Sequence, residues 1–409
     1  MKFLYVDGEK LVLFENKKKT EYESLYIKRY RESMLRSAKN KEWKKRSDVE
    51  ISDEYYFGDS QNRVDAVIHS VSFTDEENKL LYSFGVNETS GLYFKYTDDK
   101  EKTEAHGVSS FEVEFKCVQM TANGHILGSV AQGMTAKIAV FSPDGSDYKC
   151  ITDGDTLDEN PSMDKDGNIL FNSYAVARDS DGNFITYMPS ELYKLDLQTM
   201  QVQTLLSDRK YSYIKPIADK KGNIYCIRKP AKEKEGNAFL DFLMIPVRIV
   251  QAIVGFVSAF VLCFAKKPMV SGSSAKAIGE GELSRENRSK KVLINNHLLD
   301  VEKELKSNAK YCDLGFIPRS WTLVRLEADE QGSFQNCREY DIAFGVGDFT
   351  LESETDEETT LVYTDGKHIH SICDKGDKGK REILTNVDFC VCVAAPVCYE
   401  KTDNLFDLL

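Results

Sequence analysis

A short hairpin phrase recurs six times along the chain: an apolar run, a tight polar turn and a second apolar run. The turns usually contain glycine, which tolerates the backbone angles of a tight hairpin connection. They are centred on Gly8, Asn78, Gly124, Gly167, Gly222 and Gly366. From the second turn to the fifth, neighbours are about 43 to 55 residues apart, which is the repeat length of propeller blades. The sequence therefore predicts an all-β fold, a six-bladed β-propeller.

The order of elements within a blade is clearest between residues 137 and 206. A strand (137–141), a Ser-Pro-Asp-Gly turn and a second strand (148–152) lead to a T-D-G-D loop and then to N-P-S-x-x-x-D-G-N-I-L-F. This order resembles the TolB-like and WD-like propeller repeats over residues 110–230. The resemblance implies the fold. Because the chain contains no WD dipeptide, no functional residue is carried over from those families.

Six blades with insertions use nearly all of the 409 residues, so the length predicts one large globular unit. We predict propeller blades in residues 1–230, a hydrophobic helix and flexible tether inserted in residues 231–310, and the remaining blades in residues 311–409. Closure should pair the N-terminal hairpin, 2–14, with strands near the C-terminus such as 389–394. The reason is that the wrap-around distance from the last turn to the first is about one blade.

The composition and motifs of the chain indicate its cellular compartment and the chemistry that it can support. Ten cysteines, and an N-terminal sequence MKFLYVDGEK without the apolar region of a signal peptide, predict a reducing, cytoplasmic location. The sequence contains no phosphate-binding glycine loop, no nucleophile elbow and no HExxH motif. We therefore predict no catalytic residue and no cofactor.

A basic insertion follows the first hairpin, from residue 17 to residue 46, with twelve Lys or Arg and four Glu. Its apolar residues recur at every fourth position, which predicts an amphipathic helix near residues 20–46. They are Tyr22, Tyr26, Tyr30, Met34 and Ala38. One hypothesis is that the basic face contacts an anionic membrane surface. The other is that the tyrosines pack on the propeller and the lysines are solvated.

The predicted contacts with an anionic surface are Lys17, Lys18, Lys19, Lys44, Lys45 and Arg46. A nucleic-acid partner is disfavoured, because the whole chain carries a net charge of −12 and its acidic remainder repels phosphate. The basic insertion is therefore assigned to lipid rather than to nucleic acid.

The second insertion contains FLDFLMIPVRIVQAIVGFVSAFVLCFA, residues 239–265. Its uninterrupted part, 249–265, would measure about 25 Å as a helix, slightly less than the roughly 30 Å hydrocarbon core. A single crossing would separate blades that a propeller keeps together, so we predict a monotopic helix. Its membrane-contact residues are Phe239, Phe242, Val250, Ile253, Val254, Val257, Phe260, Val261 and Phe264. The alternative is a helix that is buried in an oligomer interface through residues 249–264, or against the side of the propeller.

Both insertions are predicted to follow the second strand of an inner hairpin, and therefore to emerge on one face of the propeller. A basic patch combined with one hydrophobic anchor is a two-signal arrangement that gives stable membrane attachment. We predict a membrane-associated protein on the cytoplasmic side.

Two residue pairs have side chains suited to zinc. His368 and His370 alternate on a predicted strand and so point to one face, and Cys390 and Cys392 form a similar pair. Nothing in the spacing requires the two faces to meet, and buried cysteines are ordinary in a reducing compartment. We therefore predict no metal site.

Two Asp-x-Asp-Gly-Asn sequences, which begin at Asp164 and Asp179, look like fragments of a calcium loop. Each lacks the downstream bidentate glutamate of such a loop. Their residue types are those of a tight turn, so we predict turns.

Two classes of function remain. The preferred hypothesis is a non-enzymatic propeller, docked on a membrane, that presents its face to a protein partner as a scaffold or sensor. The alternative is a propeller enzyme of hydrolase or lyase type, with its site at the channel mouth and His69, His125 and His368 as the first candidates. A ring of convergent His, Asp and Glu on the inner strands favours the enzyme, whereas an apolar or mixed channel favours the binding module.

Overall fold

The computed structural model describes residues 1–44, 66–98, 104–121, 124–231, 291–295, 297–309, 315–355, 358–374 and 381–396. The chain divides into two compact units. The first consists of residues 1–231 and 311–409, and the second of residues 232–310. The described residues form an all-β fold with two helices, α1 (Leu25–Lys44) and α2 (Val301–Asn308).

The strands follow one another mostly as antiparallel meanders. Those of the first 110 residues are β1 (Lys2–Asp7), β2 (Lys10–Glu15), β3 (Lys18–Glu23), β4 (Ala66–Phe73), β5 (Lys79–Val86), β6 (Thr89–Tyr96) and β7 (Glu104–Ser110). The next are β8 (Glu114–Met120), β9 (Ile126–Gln132), β10 (Thr135–Phe141), β11 (Tyr148–Cys150), β12 (Thr156–Met163), β13 (Ile169–Arg178), β14 (Phe184–Tyr187), β15 (Glu191–Asp196) and β16 (Gln201–Leu206).

The remaining strands lie before, within and after the second unit in the chain. Those before and within it are β17 (Tyr211–Ala218), β18 (Ile224–Pro230), β19 (Lys291–Ile294) and β20 (His297–Asp300). Those after it are β21 (Thr322–Glu327), β22 (Arg338–Phe344), β23 (Asp348–Glu354), β24 (Thr359–Thr364), β25 (His368–Asp374), β26 (Glu382–Asn386) and β27 (Val393–Ala394).

Four sheets contain four strands each, in the orders β27-β1-β2-β3, β4-β5-β6-β7, β17-β18-β21-β22 and β23-β24-β25-β26. Strands β8 to β16 form a single nine-stranded sheet. In the second unit, β19 pairs with β20, and Asp300 accepts a hydrogen bond from the Lys303 N–H at the start of α2. A series of meander sheets of this kind indicates a β-propeller architecture.

The prediction of six separate blades is corrected by this arrangement. The described residues form four separate four-stranded sheets, and the region predicted as two further blades is continuous. The physical reason is a parallel bridge between Ala136 of β10 and Leu157 of β12, which joins one meander to the next.

The predicted hairpin turns are built by local hydrogen bonds. The Asp164 carboxylate accepts the N–H groups of Asp166 and Asn168 at 2.9 and 2.8 Å, and Gly167 between them has a φ of +82°. Asp179 accepts the corresponding N–H groups in its own turn at 2.9 and 2.8 Å. Both sequences considered as calcium-loop fragments therefore use their first aspartate as predicted for a turn.

The two ends of the first unit meet in one sheet. Leu4 and Tyr5 of β1 pair with Ala394 and Val393 of β27. The Gly8 N–H also donates to the Phe389 carbonyl at 2.9 Å. The predicted pairing of the N-terminal hairpin with the C-terminal segment is confirmed.

Bulges interrupt the first strands of several meanders. In β8, β12 and β17 the bulge holds a non-glycine residue with positive φ. These residues are Cys117, Asn160 and Lys215, with φ of 53°, 52° and 54°. A bulge leaves backbone N–H groups without partners in their own sheet, and a neighbouring sheet supplies the acceptors. Ser70 Oγ accepts the Val118 N–H at 2.9 Å, and Asn172 Oδ1 accepts the Lys215 N–H at 3.0 Å.

Side chains continue these links along the series of first strands. The Gln119 amide donates to a β12 carbonyl at 2.6 Å, and the Ser162 hydroxyl donates to a β17 carbonyl at 2.6 Å. Thr350 Oγ1 on β23 accepts the N–H of Ala395, next to β27, at 3.1 Å. Strand β27 in turn contacts β4. The series of links therefore returns to β4, the strand that carries Ser70.

An ion pair between Lys215 and Asp348 joins β17 to β23. The second carboxylate oxygen of Asp348 accepts the Val393 N–H at 2.8 Å, so one aspartate connects three sheets. Burial raises the pKa of Asp348, and the Lys215 ammonium opposes that shift. The pair therefore stabilises the fold, because a buried carboxylate that has lost its cation is strongly destabilising.

Replacing Lys215 with methionine should lower the free energy of unfolding by about 3 kcal/mol, because Asp348 would stay buried without a cation. Urea unfolding followed by circular dichroism measures this loss. The double variant Lys215→Met, Asp348→Asn should recover most of it. Lys137→Met is the matched control, since it breaks an exposed 2.6 Å pair with Asp153 and should cost less than about 1 kcal/mol. Equal losses in the two single variants would contradict the structural role of the Lys215–Asp348 pair.

Candidate functional site

A small cavity lies where the first strands of several meanders end. Its volume is about 80 Å³. Its polar lining includes Gln119, Thr121, Ser162, Thr350, Ser353 and Glu354, and its apolar lining includes Met120, Met163 and Ile217. Small-molecule sites usually occupy roughly 300 Å³ or more, so this cavity suits a few water molecules better than a substrate.

The three candidate histidines lie on different sheets. His69 is on β4, His125 precedes β9 in a turn where its carbonyl accepts the Thr121 N–H at 2.8 Å, and His368 begins β25. Burial, followed by the nearby Lys116 ammonium, lowers the pKa of His69 to about 4. His69 is therefore uncharged at neutral pH.

The charges near His69 are also paired. Lys116 Nζ contacts a Glu114 carboxylate oxygen at 2.6 Å. Glu114 is exposed, whereas the Lys215–Asp348 pair on β17 and β23 is mostly buried. The described part of these strands is thus mixed in character.

A second group of titratable side chains lies at the turn between β24 and β25. Asp365 Oδ2 is 2.9 Å from His370 Nε2 and 3.0 Å from His368 Nδ1. One ligand atom from each of the three residues lies within 4.8 Å of the other two. Asp365 and His370 are fully buried, whereas the His368 side chain is 21% exposed. We call Asp365, His368 and His370 the His–Asp cluster.

The turn itself positions Asp365. Its Oδ1 accepts the N–H groups of Lys367 and His368 at 3.0 and 2.8 Å. Because the strand period is two, His368 and His370 lie on one face of β25, and both imidazoles contact the Asp365 carboxylate. Burial alone would raise the pKa of Asp365, but the hydrogen bonds from His370 and His368 lower it to about 2.

Arg381, just before β26, completes the surroundings of the cluster. Its Nε donates to His370 Nδ1 at 3.0 Å, and one terminal nitrogen lies 3.4 Å from Asp365 Oδ2. Burial lowers the pKa of His370, while the hydrogen bond to Asp365 opposes the shift. The Tyr363 ring stacks on the imidazole with 4.8 Å between centroids. His370 is therefore held on several sides.

The structure brings together the two histidines singled out in the sequence, but not the cysteines paired with them in that hypothesis. Cys390 and Cys392 are buried, and the Cys390 thiol donates to the Cys392 carbonyl at 3.5 Å. The partner of the histidines is Asp365, which the sequence analysis missed. Its signal was the D-G-K-H-I-H sequence, in which a turn aspartate precedes alternating histidines.

Helix α1 packs its aromatic residues against the sheet that contains β4 to β7. The Tyr26 ring lies 4.8 Å from Phe84 and 5.3 Å from Tyr93, and Tyr30 accepts a hydrogen bond from Asn87 at 3.0 Å. The expected packing of these two tyrosines on the propeller is confirmed. The exposed basic residues of the helix include Lys28, Arg29 and Arg36.

The start of α1 is fixed by a buried acid. Glu104 accepts the N–H groups of Leu25 and Tyr26 at 2.7 and 3.2 Å, where a helix end favours a negative charge. Lys95 lies 3.4 Å from the same carboxylate and is itself buried. Ser24 Oγ accepts the Ile27 N–H at 3.3 Å as a conventional cap.

The basic residues predicted to contact an anionic surface do not all lie on one helix. The helix begins at Leu25, because residues 18–23 form β3 and pair with β2. Lys17, Lys18 and Lys19 are exposed at the turn into β3 and along it, and not on the helix. Lys44 ends α1.

Several predicted contacts lie outside the described residues. They are Lys45, Arg46, Phe239, Phe242, Val250, Ile253, Val254, Val257, Phe260, Val261 and Phe264. Neither of the two helices that the structure describes combines the length and the apolar character needed to cross a bilayer.

The two insertions do not follow equivalent strands, contrary to the prediction. Helix α1 follows β3, the last strand of its sheet, whereas the second insertion follows β18, the second strand of its sheet. The difference arises because β27 adds a strand in front of the N-terminal hairpin, and because residues 18–23 form a further strand, β3, before the helix begins.

Comparison with known proteins finds similar solved structures but no related sequence. No family model and no curated protein sequence matches the chain. Among solved structures, TolB from Acinetobacter baumannii has a TM-score of 0.49 and 9% identity, covering 97% of this chain and 66% of that chain. A chain of a nidogen/laminin complex has a TM-score of 0.48 and 8% identity, covering 97% and 99%. A putative TolB from Agrobacterium tumefaciens has a TM-score of 0.41 and 10% identity, covering 79% and 82%.

The chain is similar to these TolB structures at the level of the fold. At such low identity the likeness concerns the arrangement of strands alone. Function must therefore be argued from this chain's own residues.

Replacing Glu104 with glutamine should loosen the start of α1, because the first N–H groups and Lys95 lose a charged acceptor. We expect amide hydrogen exchange in residues 25–36 to accelerate about tenfold. Mass spectrometry of peptic fragments measures it. Glu32→Gln is the control, since its carboxylate meets only an exposed Arg36 at 3.9 Å and should change exchange little. Unchanged exchange in Glu104→Gln would mean that the tyrosine packing alone holds the helix.

Proposed function

We propose that this chain is a non-enzymatic β-propeller interaction module that is held on an anionic membrane surface and presents its outer face to a protein partner. Three features support the proposal: the use of the charged groups on the first strands, the position of the basic helix, and the composition of residues 239–265.

We also propose that the nine-stranded sheet counts as two blades, β8 to β11 and β12 to β16, so that the propeller has six. A single bridged residue pair joins these two meanders, whereas strands within each share long registers. The first strands β27, β4, β8, β12, β17 and β23 are linked in one series, as expected for six blades around an axis.

The pairing of charged side chains on the first strands is the observation that best supports an interaction role. In a propeller enzyme, acids and bases converge on an open site near the axis. Here Lys215 and Asp348 bind each other and the backbone of a third sheet, and Lys116 binds Glu114. The adjoining cavity is small. Lys215 and Asp348 are used to stabilise the fold, and recognition of a partner would use the outer surface.

Membrane attachment is supported by the two insertions. The tyrosines of α1 fix the helix on its sheet, so Lys28, Arg29 and Arg36 are presented to solvent at low conformational cost. The second and fourth strands of an antiparallel meander run in the same direction. Strands β18 and β3 hold these positions, so both strands end on the same face of the propeller. A basic patch and one apolar segment then act as two attachment signals.

Neutralising Lys17, Lys18, Lys19, Lys44, Lys45 and Arg46 should weaken binding to vesicles that contain an anionic lipid. Each charge near such a surface contributes about 1 kcal/mol, so we expect a loss of at least about tenfold. Binding of the intact chain should also fall as salt rises, because the Debye length shrinks from about 10 Å at 0.1 M to 3 Å at 1 M. Sedimentation with vesicles, with and without phosphatidylserine, measures both effects.

A matched control neutralises six basic residues that lie on other elements. They are Lys149, Lys165, Arg209, Lys210, Lys220 and Lys221, which are all exposed. This variant should keep nearly full binding. An equal loss in both variants would show that net charge, and not the basic patch, controls binding. Full binding by the first variant would contradict the membrane role of the basic insertion.

Deleting residues 239–265 should remove the part of vesicle binding that resists high salt, because that part depends on burial of apolar surface. In sealed vesicles, residues 17–46 and 276–291 should be cleaved by protease from the same side, since we propose that the segment does not cross. Cleavage from opposite sides would reject the monotopic arrangement. Salt-resistant self-association without vesicle binding would favour the oligomer interface.

A further inference from the structure

We propose that Asp365, His368 and His370 form a binding site for a divalent transition metal of the zinc type, at which the metal and the Arg381 guanidinium compete. The proposal concerns the His–Asp cluster at the turn between β24 and β25 and is independent of membrane attachment.

The donor atoms have the chemistry and spacing of such a site. One carboxylate oxygen and two imidazole nitrogens are a common three-ligand set for zinc, with a fourth position left for water. In a tetrahedral site with bonds of about 2.0 Å, neighbouring ligand atoms lie roughly 3.3 Å apart. The separations of 2.9 and 3.0 Å from Asp365 Oδ2 differ from this value by a few tenths of an ångström, and the two imidazole nitrogens lie within 4.8 Å of each other.

The surroundings orient two of these ligands in advance. The turn N–H groups of Lys367 and His368 bind Oδ1 of Asp365, which directs Oδ2 towards the imidazoles. Hydrogen bonds to the second atom of a ligating group are the usual means of fixing metal ligands. Tyr363 stacks on His370 and restricts its ring. The His368 side chain is 21% exposed, so solvent reaches the cluster from that side.

Arg381 occupies the side of the His370 ring that a metal would have to reach. Its Nε donates to His370 Nδ1 at 3.0 Å, and one terminal nitrogen lies 2.9 Å from His370 Nε2. A metal on Nε2 needs the lone pair of that nitrogen, and the proton of the neutral ring then sits on Nδ1. That nitrogen could no longer accept from Arg381. Metal binding and the Arg381 hydrogen bond therefore exclude each other, and their positive charges also repel.

The location of the cluster links it to the closure of the first unit. The carbonyls of Gly366 and Lys367, in the same turn, accept the Cys390 and Val387 N–H groups at 3.0 and 2.8 Å. These residues lead into the segment that pairs with β1. A metal that binds only the folded turn would stabilise this connection by mass action.

Cobalt(II) is the probe, because its visible absorption reports tetrahedral coordination by imidazole and carboxylate. The full chain carries Cys150→Ser, which removes an exposed thiol that could bind the ion. We expect absorption bands on titration of this protein, and at least tenfold tighter binding when Arg381→Met is added. Adding His368→Gln instead should abolish the bands, and Zn²⁺ should displace Co²⁺ from the first two proteins.

Thermal unfolding supplies a second readout. Zn²⁺ should raise the melting temperature of the Cys150→Ser protein, and raise that of the Arg381→Met variant further, without changing that of the His368→Gln variant. Arg381→Gln replaces the methionine variant if the latter does not fold. Three results would each overturn the proposal: no cobalt bands in either the Cys150→Ser protein or the Arg381 variant, equal affinity after removal of Arg381, or undiminished binding by the His368→Gln variant.

Discussion

The hydrogen bonds between neighbouring sheets are the interaction on which the rest of the structure depends. Bulges at Cys117, Asn160 and Lys215 turn the first strands away from ideal pairing and leave N–H groups that their own sheets cannot satisfy. Side chains such as Ser70 and Asn172, on adjacent meanders, accept them. Each sheet is therefore completed by its neighbour, and the polar groups near the centre of the unit serve the architecture before any other purpose.

The amino-acid sequence predicts what local chemistry controls. The turn at Asp164 forms from residues within four positions of each other, and the closure by β27 follows from counting blade lengths. The start of α1 could not be read in this way, because Glu104 lies 79 residues from Leu25. The merging of two meanders into nine strands depends on a single bridge, at Ala136. Neither contact leaves a periodic trace in the sequence.

In the candidate site too, the sequence predicts the local arrangement but not every contact. Alternation on a strand predicts that His368 and His370 share a face, and the structure agrees. The alternating pair Cys390 and Cys392 suggests cysteines as their partners, because cysteine pairs are typical of zinc motifs. The partner is instead Asp365, whose type also fits an ordinary turn. Because the same residue can hold a turn and face two imidazoles, the sequence alone could not separate these roles.

Closure by β27 also has a consequence for synthesis of the chain. Strand β1 is made nearly 390 residues before its partner at Val393 and Ala394. During that interval the backbone of Leu4 and Tyr5 is an unpaired sheet edge, which is the feature by which chains most readily associate incorrectly. The first sheet can reach its final form only after β27 has left the ribosome. Early termination within the final blade would therefore expose the beginning of the protein, and not merely shorten its end.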